Sequence, residues 1–400
     1  MHPRFLGNKL KQTQLPVVMI NGARQVGKST LVKEIFSKTH DYFTLDDPQI
    51  LSLVRTDPLN FIRYAKNPLI IDEIQRCPDL LLAIKTIVDE KRVSRQFVLT
   101  GSVNVLRLQG VQDSLAGRIS RHILWPLSQE EIVGRTSPFL EGLFKSEITK
   151  GRTDTLTLME SIKKGGYPLA VLAENPLHRL EWLHAYLTQL LEKDIRDLSN
   201  IEGLSEIPTI LGLLASRVGA LVNVNDLSRS LQIPYTTLKR YLSLLEMSYL
   251  FCPVQPWFQN IGKRLIKSEK AFLIDTALIE SVLHRGIEAD SLLFGHVLEN
   301  FIAMELMKQL SYKSLSARLF HYRTTSGEEV DFVLEAMDGN VVAFEVKGSS
   351  QFSQKDAKGL RSLKEQLQNK FKMGIILYQG TQVLPIEENI YAVPLSYLWT

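Results

Sequence analysis

Near the N-terminus of this 400-residue chain, Gly22-Ala23-Arg24-Gln25-Val26-Gly27-Lys28-Ser29 fits G-x-x-x-x-G-K-[ST] at every position, and Thr30 follows. Glycines at the two ends let successive amides turn toward one anion, and a helix N-terminus behind them favours negative charge. Such a loop takes a nucleoside triphosphate, here ATP. Lys28 can reach the β and γ phosphates, and the Ser29 hydroxyl can ligate Mg²⁺. Downstream, Asn67-Pro68-Leu69-Ile70-Ile71-Asp72-Glu73 is an apolar run ending in two carboxylates. Asp72 suits Mg²⁺ through water, and Glu73 suits the orientation or deprotonation of an attacking water. A base beside the metal prepares water as nucleophile, so the pair favours hydrolysis over phosphorylation of a small acceptor.

A further apolar run closes in Thr100-Gly101-Ser102-Val103-Asn104. A polar residue at that strand end would stand between the loop and the acids and sense the γ phosphate; Thr100 and Ser102 are both candidates. Leu115-Ala116-Gly117-Arg118-Ile119-Ser120-Arg121 precedes another apolar run. An arginine there can project from the edge of the unit and lend guanidinium charge to a neighbouring subunit's γ phosphate, which implies a homo-oligomer. Arg118 is preferred to Arg121 for this role, with a surface salt bridge as the competing reading.

The second stretch with chemical potential lies near the C-terminus. Glu328-Glu329-Val330-Asp331-Phe332-Val333-Leu334 is followed by Val341-Val342-Ala343-Phe344-Glu345-Val346-Lys347. The period of two in a strand puts Glu345 and Lys347 on one face. Asp331 with Glu345 and Lys347 resembles the D…E-x-K core of the PD-(D/E)XK nuclease superfamily, and Glu299 on an upstream helix matches an extra acid of that fold. The resemblance implies two carboxylates holding Mg²⁺ and a lysine assisting the hydrolytic water. Many such cores bind DNA without cutting it, so an active and an inert site both stand.

Between these regions, Asn225–Leu231, Ile233-Pro234 and Tyr235–Leu242 read as helix, turn, helix. Thr236 or Thr237 is an N-cap candidate, and Leu238, Leu242 and Leu245 form an inward stripe. Residues 251–266 read as a hairpin wing. Residues 217–270 hold eight Lys or Arg against three acids, a local net charge of +5. Lys239 and Arg240 on the second helix, with Lys263 and Arg264 in the wing, suit contact with a DNA backbone. Winged helices also serve as protein–protein modules, so a protein partner stays open.

These groups need scaffolds to hold them. Residues 15–132 alternate short apolar runs with helical stretches: strands at 17–20, 42–45, 69–72, 97–100 and 122–125, the pattern of a parallel α/β sheet. Residues 155–216 carry helical spacing, with Leu180, Leu183, Leu187, Leu190 and Leu191 on one stripe. The expected organisation is a core at 1–132, a helical lid or linker at 133–216, a winged-helix-like segment at 217–285 and a mixed α/β domain at 286–400. The composition, 44% hydrophobic and 22% charged, excludes a mainly disordered chain. Cys77 and Cys252 match no metal spacing and suggest a reducing compartment. No apolar run is long enough to span a bilayer, and no secretory leader is visible, so the expected place is the cytoplasm, away from membranes.

The stretches Asn21–Ser29, Ile71-Asp72-Glu73-Ile74-Gln75, Leu99-Thr100-Gly101-Ser102 and Leu115-Ala116-Gly117-Arg118 resemble a widespread prokaryotic family. Its members are AAA-type P-loop ATPases fused to a C-terminal domain of unknown function with a restriction-endonuclease-like core. The similarity runs over nearly the whole chain and implies ATP and Mg²⁺ binding. Two functions follow from these readings. One is Mg-dependent ATP hydrolysis coupled to DNA interaction; the other is a nucleotide-controlled protein-interaction switch with an inert nuclease-like fold.

Overall fold

The computed structural model describes residues 2–103, 115–149, 151, 157–195, 204–260, 268–324 and 326–400. They form two compact units: Arg4–Pro126 with Met247–Leu250, and the remainder.

The N-terminal unit is built on five parallel strands, β1 Val17–Asn21, β2 Asp41–Thr44, β3 Leu69–Asp72, β4 Phe97–Gly101 and β5 Ile119–Ile123, in the order β2-β3-β4-β1-β5. β1, β3 and β4 are buried along their whole length, which explains their continuous apolar runs. One side of this sheet packs Val17, Met19, Leu69, Ile71, Phe97 and Leu99 against Leu80, Leu81, Ile84 and Val88 of the helix Leu80–Glu90. β4 separates β1 from β3, so the loop leaving β1 and the acids leaving β3 flank the end of β4.

The fifth strand starts three residues earlier than its apolar run suggests, because its parallel register pairs Ile119–Ile123 with Val17–Asn21. Beyond it, the Leu124 amide donates to the Asn21 carbonyl at 2.8 Å as the chain leaves the sheet. Gly22 takes φ +153° there, and a Cβ on it would lie 2.2 Å from the Leu124 carbonyl oxygen. Only glycine fits at this close approach.

The second unit joins helices to a hairpin and a mixed sheet. Its helices include Val224–Leu231 and Tyr235–Met247, which lie next to each other in sequence. The latter begins at Tyr235, so Thr236 and Thr237 lie inside its first turn and neither is the N-cap. The hairpin that follows pairs β6 Phe251–Val254 with β7 Lys270–Leu273. The larger sheet has six strands, β8 Ala317–Arg323, β9 Glu329–Ala336, β10 Val341–Val346, β11 Phe371–Tyr378, β12 Leu384–Glu387 and β13 Ile390–Pro394, in the order β12-β13-β11-β10-β9-β8. β10 pairs antiparallel with β9 and parallel with β11. Leu360 and Leu363 of the helix Lys358–Leu367 fill the core over Val333, Ala343 and Ile376. Leu183, Leu187 and Leu190 of the expected leucine stripe are buried.

Residues 127–137 go with the second unit because buried polar groups tie them to the helix Phe294–Tyr312. Glu305 accepts from the Gln129 amide at 2.8 Å, Lys308 donates to the Leu127 carbonyl at 3.0 Å, and the Tyr312 hydroxyl donates to Glu130 at 2.6 Å. Among the described residues, no helix is long and apolar enough to cross a membrane. Both cysteines are buried thiols.

Candidate functional site

The loop Gly22–Gly27 carries the chain from β1 into the helix Lys28–Phe36, whose N-cap is Gly27 at φ +93°. Gln25 is also left-handed, at φ +63°. Among the described residues, no atom lies within 4 Å of where a Cβ on Gly27 would sit. Lys28 is 5% exposed and turns back over the loop, donating to the Gly22 and Ala23 carbonyls at 3.0 and 2.9 Å. Burial pushes its ammonium below the ordinary lysine range, and the Glu73 and Asp72 carboxylates oppose that shift. The loop therefore holds a buried cation beside a helix N-terminus, a field suited to a polyphosphate.

Asp72, at the end of β3, faces the loop. Ser29 Oγ donates to its Oδ2 at 2.8 Å, Tyr42 Oη donates to the same oxygen at 2.6 Å, and Thr100 Oγ1 donates to Oδ1. Three hydroxyls thus satisfy a carboxylate that is only 4% exposed. Burial and the hydrogen bond to Asp72 hold the Tyr42 phenol well above its usual range, so it remains a donor. Ser29 and Asp72 form a hard-oxygen pair of the kind Mg²⁺ prefers, and these residues fit that ion.

Glu73 follows in a left-handed conformation, φ +58°, with its amide donating to Thr100 Oγ1 at 3.2 Å. Gln75 Nε2 donates both to the Glu73 carboxylate and to Ser102 Oγ, the latter at 2.8 Å. Thr100 therefore touches the Asp72 carboxylate, and Ser102 reaches Glu73 through Gln75. Lys28, Ser29, Asp72, Glu73, Thr100 and Ser102 all meet at one end of the sheet. Arg24 is half-buried and Gln25 and Thr30 are exposed, while Ala23 and Val26 are buried within the loop.

Arg118 lies elsewhere. It immediately precedes β5, and its carbonyl accepts from the Val17 amide, so it sits at the strand ends opposite the phosphate loop. Its guanidinium bonds Asp89 at 2.6 Å. Arg121 is exposed on β5.

In the second unit, Glu299 on the helix Phe294–Tyr312, Asp331 on β9, and Glu345 and Lys347 at the end of β10 come into one neighbourhood. Lys347 Nζ bonds Glu345 at 3.0 Å and Asp356 at 3.2 Å, while Asp331 accepts from the Val346 amide at 2.8 Å. An unexpected group joins them. Lys270 of β7, 2% exposed, places its ammonium 2.7 Å from Glu299, 2.7 Å from Glu329 and 3.6 Å from Asp331. Burial works against its charge, but the three surrounding carboxylates prevail and hold its pKa above the ordinary lysine value. Lys270 had counted toward the basic character of residues 217–270, yet it offers no charge to solvent. The residues do not fit a divalent ion as placed: among the described residues no three His, Cys, Asp or Glu side chains are grouped to hold one.

Carboxylates outnumber lysines in this cluster. Burial, then Asp331, pushes Glu299 and Glu345 each up to about 8. An unfolded glutamate titrates near 4.3, so between these limits the folded protein binds more protons than the unfolded chain. The resulting stability is present at low pH and lost as pH rises through the folded value. The second unit is expected to melt at a lower temperature near pH 9 than near pH 7, and Glu345→Gln to flatten that fall. Calorimetry of both proteins across the interval checks it; equal slopes would remove the protonated carboxyl.

Lys239 and Arg240 are exposed on the helix Tyr235–Met247, opposite buried Leu238, Leu242 and Leu245, and Lys239 lies 4.9 Å from the centre of the Tyr235 ring. Lys263 and Arg264 lie outside the described residues.

Sequence reasoning missed Tyr42, Glu329 and Lys270, and quoted Gln75 without a role. Tyr42 becomes visible only when β2 is placed beside β3. The one signal for Lys270 is a charge opening an otherwise apolar run, Ala271-Phe272-Leu273-Ile274.

Comparison with known proteins divides the chain into three parts. Residues 14–133 match an AAA domain, residues 155–291 a domain of unknown function (DUF8612), and residues 294–398 a second domain of unknown function (DUF4143). An uncharacterized protein of Mycobacterium tuberculosis is 29% identical over 393 residues, covering 96% of this chain and 81% of the relative. One from Methanocaldococcus jannaschii is 22% identical, covering 99% and 88% respectively. Among solved structures, a variant of Thermotoga maritima RuvB aligns at 18% identity over 66% of this chain and 91% of its own, with a TM-score of 0.28. A superposition that loose carries no argument. The AAA match and the five-stranded parallel sheet agree on an AAA-type P-loop fold for the N-terminal region.

Proposed function

We propose that the protein hydrolyses ATP with Mg²⁺ and that the nucleotide state governs how the helix–turn–helix region engages DNA. One observation carries the ATPase half: Lys28, Ser29 and Asp72 converge on the loop after β1, with Ser29 and Asp72 in contact at 2.8 Å. Ser29 and Asp72 would hold the magnesium ion, which when bound screens the charge of the β and γ phosphates. The loop amides and Lys28 bind the triphosphate, with Lys28 leaving two loop carbonyls to reach it. Glu73 takes the proton of the attacking water, and Gln75 orients its carboxylate. Thr100 and Tyr42 hold Asp72 in place. In a homo-oligomer Arg118 would serve a neighbour's nucleotide after release from Asp89, since it stands away from its own loop.

DNA contact is supported by the exposed Lys239 and Arg240 on the second helix of a helix–turn–helix followed by a hairpin. Coupling is supported by the course of the chain. Met247–Leu250, the link from that helix to β6, belongs to the N-terminal unit, where Tyr249 meets Trp125 edge-on with ring centres 6.1 Å apart. Trp125 lies just beyond β5.

The test is the ATPase rate with and without duplex DNA. DNA is expected to stimulate turnover. Lys239→Ala/Arg240→Ala should remove that stimulation while sparing the basal rate, and should reduce the salt slope of DNA binding by about 2. A wild-type rate indifferent to DNA would transfer weight to the second reading, a nucleotide-controlled protein-interaction switch. The ion pairs of Lys270 within the carboxylate cluster favour that reading's inert C-terminal fold.

A further inference from the structure

We infer that the carboxylate cluster of the second unit is a metal-free centre whose resident cation is the Lys270 ammonium, in place of the divalent ion that the D…E-x-K pattern implies. The inference concerns this unit alone and stands or falls separately from ATP hydrolysis.

An ammonium presents three N–H donors. Those of Lys270 face Glu299 at 2.7 Å, Glu329 at 2.7 Å and Asp331 at 3.6 Å. Carboxylates from a helix and from β9 thus converge on one positive charge. Other oxygens of the group are already engaged: Asp331 accepts from the Val346 amide at 2.8 Å, and Glu345 pairs with Lys347 at 3.0 Å. A second cation entering here would meet a fixed positive charge at close range, in surroundings too buried for water to screen it.

The strand that carries the ammonium is anchored. Lys270 opens β7, where it pairs with Val254 of β6 and bridges to Leu221. The next residue, Ala271, donates to the Ala220 carbonyl at 3.0 Å. The Leu273 amide donates to Asn300 Oδ1 at 2.7 Å, and the Asn300 side-chain amide donates back to the Leu273 carbonyl at 3.0 Å. Asn300 neighbours Glu299, so these bonds fix the strand carrying the cation to the helix carrying one of its acceptors. Withdrawing the ammonium would break its pairs with Glu299 and Glu329 in a buried setting. The cluster acts as an ion lock that fastens the hairpin after the helix–turn–helix to the C-terminal sheet.

Manganese titration of the full-length, nucleotide-free protein, followed by electron paramagnetic resonance, tests this. Wild type and Asp331→Asn should bind Mn²⁺ alike, because no ion uses Asp331 while Lys270 is present. Lys270→Met keeps the aliphatic stem without the charge. It should gain one Mn²⁺ site, at least about tenfold tighter than wild type shows and lost again when Asp331→Asn is added. Wild-type binding that disappears in Asp331→Asn overturns the inference, as does a folded Lys270→Met protein that gains no site. Should Lys270→Met fail to fold, Lys270→Met/Glu299→Gln removes the ammonium together with one of its carboxyl acceptors and is compared with Glu299→Gln on the same terms. The comparison of wild type with Asp331→Asn needs neither variant and decides alone.

Discussion

Lys28→Ala is expected to reduce ATP turnover by roughly 10²–10³-fold, the scale on which enzymes lose rate when one preorganised charge-stabilising donor is removed. Lys28 is already buried over the phosphate loop, donating to the Gly22 and Ala23 carbonyls. Its charge therefore acts where water screens it weakly. Alanine leaves two loop carbonyls without this donor, but it also removes a cation whose pKa burial depresses, so the unit should still fold. Steady-state phosphate release, with circular dichroism to confirm folding, is the measurement. Turnover at the wild-type rate would end the ATPase proposal, because Lys28 is the loop's own lysine and the group assigned to the β and γ phosphates.

Glu73→Gln should separate binding from hydrolysis. The change preserves shape and leaves a side-chain oxygen to accept from Gln75, but it removes the base. Loss of a positioned general base costs about 10²–10⁴-fold in rate. Lys28, Ser29 and Asp72 are untouched, so ATP should be retained and not turned over. The variant is expected to keep radiolabelled ATP through gel filtration while its single-turnover rate collapses. Release of ATP together with unchanged hydrolysis would mean that a different group prepares the water. Gln75 is instructive here: it bridges Glu73 and Ser102, so Glu73 is tied to the end of β4, the strand between the phosphate loop and the acids.

The proposed nucleotide site was largely legible because the residues that define it are local in sequence. A glycine-lysine-serine loop between an apolar strand and a helix specifies its amide cradle within about ten residues, and Ile70-Ile71-Asp72-Glu73 declares both a buried strand and its acidic tip. What could not be read was the environment of Asp72. Tyr42 is thirty residues away and reaches the carboxylate only because β2 pairs with β3 in parallel register, Thr44 opposite Asp72. The start of the fifth strand was displaced by three residues for a related reason: apolar composition marks a strand's presence, while pairing with β1 decides where it starts and stops.

The C-terminal cluster reverses the balance. Residue types and a period of two brought Asp331, Glu345 and Lys347 together on paper, and the pairing of β9 with β10 brings them together in the fold. The same residues suggested a magnesium site. Lys270, sixty-one residues before Asp331, changes that meaning by arriving on β7 among the carboxylates.

From its amino acids alone, then, the chain announces a phosphate-loop motif, a pair of acids at a strand end and a parallel sheet to carry them, since each depends on neighbours in sequence. The order of the strands, the hydroxyls gathered around Asp72 and the cation held by Glu299, Glu329 and Asp331 were settled only on folding. Long-range pairing and burial select which charges meet, and a charge removed from water takes its properties from the partners it finds there.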